Sequence, residues 1–317
     1  MIRTTKLRNC ARIACLLVGA LVGTAHAAVT TLARGVLVDA AAGRAYVTDA
    51  TGILQARTLP DGRLVWSSAE MADPLLDFGD RMLALGRIDT KGVGLLLLLD
   101  LADGRVLDRI AFDLPEHVAA VLAPQPSAKF EINAERTAQG ARLIWRHWSA
   151  PLRGAYVPGE SEPKYSEGAF DVVLAAQRNL AVPLEQMPEL PAAPSIELAP
   201  AERLPGLTGR QFRSADDDAV MAAEAVADPA FGTAWRLTLR TRASSRVAGS
   251  LTLPYSYVPF ALLGETVLYR IEAAYWRDAR GAVQGHPAQL VAFDLERGQQ
   301  LWAVEVSPLQ FNGPLPP

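Results

Sequence analysis

Two short runs contain residue types that could do chemistry. Asp216-Asp217-Asp218 offers three carboxylates, and carboxylate oxygens are ligands that calcium prefers. Calcium loops alternate their acids and place glycine at the sharp turn, so a plain hairpin turn before an apolar strand is the favoured interpretation. Ser161 and Lys164 match the Ser-x-x-Lys nucleophile spacing, but Pro163 breaks the helix which that chemistry needs. We interpret this second match as chance.

Three histidines follow the N-terminal segment, namely His117, His147 and His286, and they are widely separated in sequence. Scattered histidines more often pack within loops or sheets than share a metal, so no metal site is predicted. The sequence contains no nucleophile elbow, no His-Glu-x-x-His, no Cys-x-x-Cys-His and no phosphate-binding glycine loop. We therefore predict no catalytic, cofactor-binding or metal-binding residues and favour a protein that is not an enzyme.

Aromatic residues flank an irregular stretch in the middle of the chain. Residues 149–168 are rich in proline and glycine and predict a long loop inserted within a repeat. Aromatic side chains beside such loops are common in recognition surfaces. The predicted binding surface comprises Trp148, Tyr156 and Tyr165.

The first 27 residues resemble a secretory signal peptide, with four basic residues, a short apolar core and Ala25-His26-Ala27 as the cleavage pattern. The apolar core is too short for a membrane anchor, and no later apolar run reaches spanning length. Both cysteines, Cys10 and Cys15, lie in this segment, so the mature chain has no disulfide. We expect a periplasmic or secreted protein.

The charge pattern argues against nucleic acid as a partner. The chain has 31 Lys and Arg and 34 Asp and Glu, and the export segment carries four basic residues and no acid, which leaves a formal charge of −7 for the remainder. Acids and bases are interspersed, without the basic stripe that a polyanion needs. The expected partner is a protein, a small molecule or a glycan.

Short strands and glycine turns recur through the rest of the chain. Strands of four to seven residues in the stretch 29–67 predict a four-stranded meander, and similar units follow near 74–107, 118–182, 212–253 and 258–302. From Gly62 to Gly104 the spacing is 42 residues, which suits a propeller blade. The prediction is an all-β propeller of four-stranded blades, with five units visible and between five and seven blades in total.

We expect residues 28–317 to form one propeller domain. Six prolines in the stretch 183–209 predict a surface connector, and residues 276–287 predict a further loop.

Two of the units resemble the quinoprotein-type repeat, in which an Ala-x-Asp strand, a glycine turn and a tryptophan follow one another. Asp294, Gly298 and Trp302 match this pattern fully, whereas Gly62 and Trp66 match it with Thr58 in the aspartate position. In the second unit Gly104 is present and Leu107 takes the tryptophan position. The resemblance implies that tryptophan packs between blades while aspartate and glycine hold the turn.

Two functions remain open. Enzymes of this repeat type that use pyrroloquinoline quinone (PQQ) are about twice as long, stack PQQ on a vicinal disulfide and coordinate calcium, and no mature cysteine exists here. The outer-membrane assembly scaffold with this repeat lacks a cofactor and is similar in size, but its lipid-attachment cysteine is missing from this chain. We expect an exported, non-enzymatic binding or scaffolding propeller. The alternative is a reduced PQQ-dependent dehydrogenase, and only that alternative requires PQQ and calcium.

Overall fold

The structure, a computed structural model, is built almost entirely from antiparallel β-sheets. It describes residues 30–89, 91–115, 118, 128–149, 164–174, 178–181, 197–228, 232–243, 246–277 and 281–307. The predicted export segment 1–27 lies outside these ranges. Within them, no helix has the length and hydropathy needed to cross a bilayer.

The first two sheets follow each other directly in the chain. The first sheet contains β1 (Thr30–Ala33), β2 (Val36–Asp39), β3 (Arg44–Thr48), β4 (Ile53–Thr58) and β5 (Leu64–Met71). The second contains β6 (Asp73–Asp77), β7 (Arg81–Ile88), β8 (Val93–Asp100) and β9 (Val106–Asp113). In each sheet the strands lie side by side in chain order.

The next two sheets repeat this arrangement with longer central strands. The third sheet contains β10 (Ala128–Thr137), β11 (Gly140–Ser149), β12 (Lys164–Val173) and β13 (Arg178–Ala181). The fourth contains β14 (Arg210–Arg213), β15 (Ala219–Asp228), β16 (Gly232–Thr241) and β17 (Val247–Leu253).

The fifth sheet carries an insertion between its second and third strands. Its strands are β18 (Phe260–Leu263), β19 (Thr266–Ile271), β22 (Gln289–Asp294) and β23 (Gln299–Glu305). Between β19 and β22 a separate two-stranded ribbon forms from β20 (Ala274–Arg277) and β21 (Val283–His286). The sequence predicted a loop at 276–287, which is wrong because valine, aromatic residues and a turn at Gly281 support a hairpin there.

Alternating side chains pack the first, second and fifth sheets each against two neighbours. In β3, Tyr46 packs against the second sheet, whereas Ala45 and Val47 pack against the fifth. In β8, Leu96 contacts the third sheet and Leu97 contacts the first. A strand buried on both faces reads as a continuous apolar run, which explains the leucines at 95–99.

These contacts join the fourth, fifth, first, second and third sheets in that order around a ring, and they confirm the β-propeller prediction. Apolar clusters connect the first sheet to the second, the second to the third, and the fourth to the fifth. The fifth packs back on the first, where Val306 also bridges to Asp49. The segment 182–196, between the third and fourth sheets, lies outside the described residues.

Two tryptophan side chains each pack against a turn of the neighbouring sheet. Trp66 of the first sheet lies on Gly104 of the second and donates its indole N–H to the Leu101 carbonyl at 3.1 Å. Trp302 of the fifth sheet lies on Gly62 of the first and donates to the Leu59 carbonyl at 2.7 Å. In both contacts the indole ring rests against a glycine α-carbon, so any side chain at that position would displace it.

The strand register corrects one assignment made from the sequence. Trp66 pairs with Ala56 and Trp302 with Ala292, and a β-bulge follows at the same place in each sheet. In the second sheet the equivalent pair is Leu98 with Asp108, so Asp108 and not Leu107 occupies the tryptophan position. Asp108 lies four residues after Gly104, the same spacing as Trp66 after Gly62 and Trp302 after Gly298, so the sequence spacing agrees with the register.

In the fourth sheet the tryptophan position is held by Gly249. It pairs with Leu239 at the bulge, and a Cβ added to it would come within 2.8 Å of the Leu295 Cβ of the fifth sheet. The partner turn in the fifth sheet therefore has no indole on it, and a Cβ added to Gly298 would meet no atom within 4 Å. Asp294 accepts a 2.8 Å hydrogen bond from the Arg297 amide and so holds this turn.

The structure bears on two predicted loops. Ser149 ends β11 and residues 164–168 belong to β12, so the predicted loop at 149–168 is wrong at its first residue and over its last five. The connector at 183–209 is described from residue 197 onward, where Leu198 is buried and its amide bonds to the Gln211 carbonyl. The Gln211 side chain donates to the carbonyls of Leu204 and Leu207, which fixes this half of the connector against β14.

We predict that Gly62→Ala destabilises the fold far more than Gly298→Ala. Both glycines have φ of 65°, so both variants carry the same left-handed strain of roughly 1–2 kcal/mol. At Gly62 the new methyl would also lie 2.7 Å from the Trp302 ring. This overpacking should cost a further 1–3 kcal/mol or so in the free energy of unfolding, measured by urea titration. Equal decreases in the free energy of unfolding of the two variants would show that the contact between Trp302 and Gly62 does not contribute to stability.

Candidate functional site

We call the end of the sheets where β3 turns into β4 the upper face. Since β1 is an additional strand of the first sheet, β3 and β4 correspond to the second and third strands of the other sheets, and the turn between these two strands falls at the same end of every sheet. The connections from β11 to β12 and from β19 to β22 are therefore on the upper face. They are also the longest such connections in the chain, so this face departs most from the regular repeat.

The ribbon of β20 and β21 presents an apolar surface to solvent. Tyr275 pairs with Gly285, and its ring covers this glycine. The Tyr275 side chain is 72% exposed and Val283 is 63% exposed, the two highest values among large apolar residues of the described part of the chain. Tyr275 and Arg277 lie on the same side of β20 because they are two residues apart, and Val283 pairs with Arg277, so Tyr275 and Val283 occupy one face of the ribbon.

A tyrosine and a histidine hold the ribbon to the body of the propeller. His286 of β21 forms a hydrogen bond through Nε2 with the Tyr255 hydroxyl, and the two rings meet edge to face at 84°. His286 Nδ1 lies 2.9 Å from the Pro287 carbonyl, which can only accept, so Nδ1 carries the proton and Nε2 accepts from Tyr255. Burial, and to a smaller extent Glu272, raises the pKa of Tyr255 and keeps its hydroxyl a donor.

Below the ribbon, Arg270 joins the last sheet to the first. Its side chain is buried, and its guanidinium bonds to Glu272 at 2.7 Å, the Ser307 carbonyl at 2.6 Å and the Arg34 carbonyl at 3.4 Å. A buried arginine is tolerated because a carboxylate and two backbone carbonyls replace its water shell. The Arg34 carbonyl belongs to the first sheet and the Ser307 carbonyl follows the last strand, so Arg270 bonds to groups at the junction of these two sheets.

A second arginine crosses the upper end of the ring. Arg34, between β1 and β2, donates from a terminal nitrogen to the Phe130 carbonyl of the third sheet at 3.1 Å. The first and third sheets are not neighbours in the ring, so this side chain spans its interior. Burial lowers the pKa of Arg34, and the carboxylates of Asp73 and Glu131 partly offset this effect.

The structure brings together only part of the predicted aromatic surface. Trp148 and Tyr165 are register partners on β11 and β12. Tyr165 is 56% exposed, and its hydroxyl bonds to Glu167, which also pairs with Arg146 at 3.1 Å. Tyr156 lies outside the described residues.

The other candidate residues are dispersed. His147 is buried on β11 of the third sheet, His286 belongs to the ribbon, and His117 lies outside the described residues. Asp216–Asp218 form the turn between β14 and β15, at the opposite end from the ribbon. In the described part of the chain, no group of three or more His, Cys, Asp or Glu side chains is arranged to hold a metal ion. Lys164 begins β12, and Ser161 lies outside the described residues.

Sequence reasoning missed the ribbon, Tyr255 and both arginines. The alternation from Tyr275 to Val283 around Gly281 was a usable hairpin signal. No sequence signal indicated the contacts of Arg34 and Arg270, because their partners include backbone carbonyls far away in the chain, such as that of Phe130 for Arg34.

The chain matches no protein-family model and no curated protein. Among solved structures it is similar to BamB from Moraxella catarrhalis, with 15% identity over 84% of this chain and 62% of that chain and a TM-score of 0.25. The Dos1 propeller is 11% identical over 85% of this chain and 57% of that one, with a TM-score of 0.28. The chain thus spans about three fifths of the length of these two structures.

A third similar structure is the propeller domain of Cps50 (Swd1) from Myceliophteria thermophila. It is 11% identical over 89% of both chains, with a TM-score of 0.26. The propeller fold of the present chain rests on its own strand pairing and sheet contacts.

We predict that Arg270→Met lowers the free energy of unfolding by about 3 kcal/mol or more, since it leaves two partly buried carbonyls and Glu272 without their donor. Arg109→Met is the matched control, because Arg109 is exposed and pairs only with Glu70 at the surface. An exposed pair contributes roughly 0–1 kcal/mol. Urea unfolding of both variants would contradict this account if the two losses were equal.

Proposed function

We propose that this protein is an exported, non-enzymatic β-propeller that binds a protein partner through its upper face. The observation that carries the proposal is the ribbon, which holds Tyr275 and Val283 in solvent on one face. Tyrosine is enriched among residues that dominate binding energy at interfaces. A rigid ring that presents one projecting apolar element suits recognition.

The edges of the ribbon point to an extended segment as the ligand. In the described residues, β20 and β21 form a two-stranded sheet of their own, so each is an edge strand. An extended peptide can add to such an edge through backbone hydrogen bonds, while its side chains contact the exposed residues. A glycan or a small molecule would contact the Tyr275 ring but would form no backbone hydrogen bonds with the strand edge.

Export and the repeat type belong to the same proposal. The pattern of residues 1–27 supports secretion to the periplasm or the medium. The seating of Trp66 on Gly104 and of Trp302 on Gly62 is what the quinoprotein-type repeat implies, and it supports assignment of the chain to that repeat type.

The alternative, a PQQ-dependent dehydrogenase, does not fit the residues present. The interior of the upper end holds Arg34, which bonds to the Phe130 carbonyl, and Arg270, which bonds to the Ser307 carbonyl and Glu272. The two cysteines lie within the export segment, so the disulfide platform cannot form in the mature chain. A quinone absorbance retained after PQQ and calcium are added to the purified protein would support the alternative.

We predict that Tyr275→Ser combined with Val283→Ser lowers recovery of the partner about tenfold in a cross-linked pull-down from periplasmic extract, because both anchors are lost. Leu64→Ser combined with Val247→Ser is the matched control, since both residues are exposed apolar groups on outer strands. None of the four is buried, so all variants should fold.

Normal recovery with the ribbon variant would contradict the proposal. A loss with the Leu64 and Val247 variant alone would move the interface to the outer strands. Tyr165→Ser tests the β11–β12 hairpin in the same way, and we expect it to retain the partner.

A further inference from the structure

A cavity of about 650 Å³ opens on the face opposite the ribbon. It lies between the lower ends of three consecutive sheets of the ring, the fourth, the fifth and the first. The β2–β3 turn, the β14–β15 turn and the end of β18 form its walls, and Leu59 and Pro60 close one side. Its volume falls within the roughly 300–1,000 Å³ that is usual for small-ligand sites.

The walls are largely apolar. Val38, Leu59, Ala261 and Leu263 line the cavity beside small residues. Such a surface accepts a hydrocarbon chain, and burial of each methylene contributes about 0.8 kcal/mol.

The ionisable residues of the described lining, Asp216 and Asp218, are both acidic. Asp216 is held in place by hydrogen bonds from the Ser214 hydroxyl, the Asp218 amide at 3.2 Å and the Leu262 amide at 2.9 Å. The last bond anchors the carboxylate across the junction between the fourth and fifth sheets. Burial raises the pKa of Asp216, so a negative charge here is costly without a cation nearby.

Asp217, the middle aspartate of the run, is neutralised by two arginines. Asp217 adopts a left-handed conformation with φ of 61°. Its carboxylate pairs with Arg242 at 2.5 Å and Arg213 at 3.5 Å. Neither arginine lines the cavity, so the turn separates one neutralised carboxylate from the two that face the cavity.

From this arrangement we infer that the lower cavity binds an organic cation, an ammonium or guanidinium group carried on an aliphatic chain. The charged group pairs with Asp218 at the turn, with Asp216 behind it, and the chain lies along Leu59, Val38 and Leu263. The chemistry is shared by a free alkylamine and by a lysine or arginine side chain of a partner. This site is separate from the ribbon and does not depend on the proposed function.

Pentylamine is the first probe, titrated into the mature chain by calorimetry, with pentanol as an uncharged match of the same shape. We expect pentylamine to bind at least tenfold more tightly than pentanol, with shifts of the Leu262 and Gly264 amide resonances. Asp218→Asn should weaken pentylamine about tenfold, as expected for loss of a charged hydrogen bond. Asp217→Asn removes the same charge from the same turn, and asparagine tolerates the left-handed conformation. It should bind as the wild type does.

N-acetyllysine methylamide distinguishes the two sources. Binding as tight as that of pentylamine assigns the site to a protein side chain, whereas much weaker binding assigns it to a free amine, and either result upholds the cation site. Equal binding of pentylamine and pentanol, no binding of pentylamine, or unchanged affinity in Asp218→Asn would each overturn it. Circular dichroism of both variants confirms that they are folded.

Discussion

The contact between an indole ring and a bare glycine α-carbon determines how the sheets of this propeller meet. Glycine at a turn leaves a flat surface, the indole of the preceding sheet covers it, and the ring nitrogen donates a hydrogen bond to a backbone carbonyl of that turn. Trp302 on Gly62 is the more consequential of the two contacts, because it connects the last sheet to the first. Arg270 and the bridge between Val306 and Asp49 reinforce the same junction from the upper face.

The indole contacts distinguish the upper face from the opposite, lower face of the molecule. The turns that receive the indoles lie on the lower face and stay short, whereas the connections on the upper face are free to lengthen, as the ribbon does. The lower face instead gains its cavity where the turns of three sheets diverge. The projecting ribbon and the cavity therefore lie at opposite ends of the ring.

The sequence predicted the propeller because its local signals agree. Alternating apolar strands, glycine turns and the tryptophan spacing all indicate the same unit, and the strands from 234 to 253 fall close to their predicted positions. The assignment of Leu107 to the tryptophan position was wrong by one residue because an apolar residue was expected there, whereas the four-residue spacing from the turn glycine selects Asp108. The arginine contacts and the lower cavity could not be predicted, because they depend on which distant turns the closed ring brings together.

Hydrogen exchange of the two indole N–H groups tests the closed ring most directly. If Trp302 binds Leu59 as described, its indole proton should exchange only on global unfolding, with the same free energy as the Trp66 indole and the core amides of β3. Exchange of Trp302 through a separate opening of much lower free energy, while Trp66 stays protected, would show that the last sheet is not locked to the first.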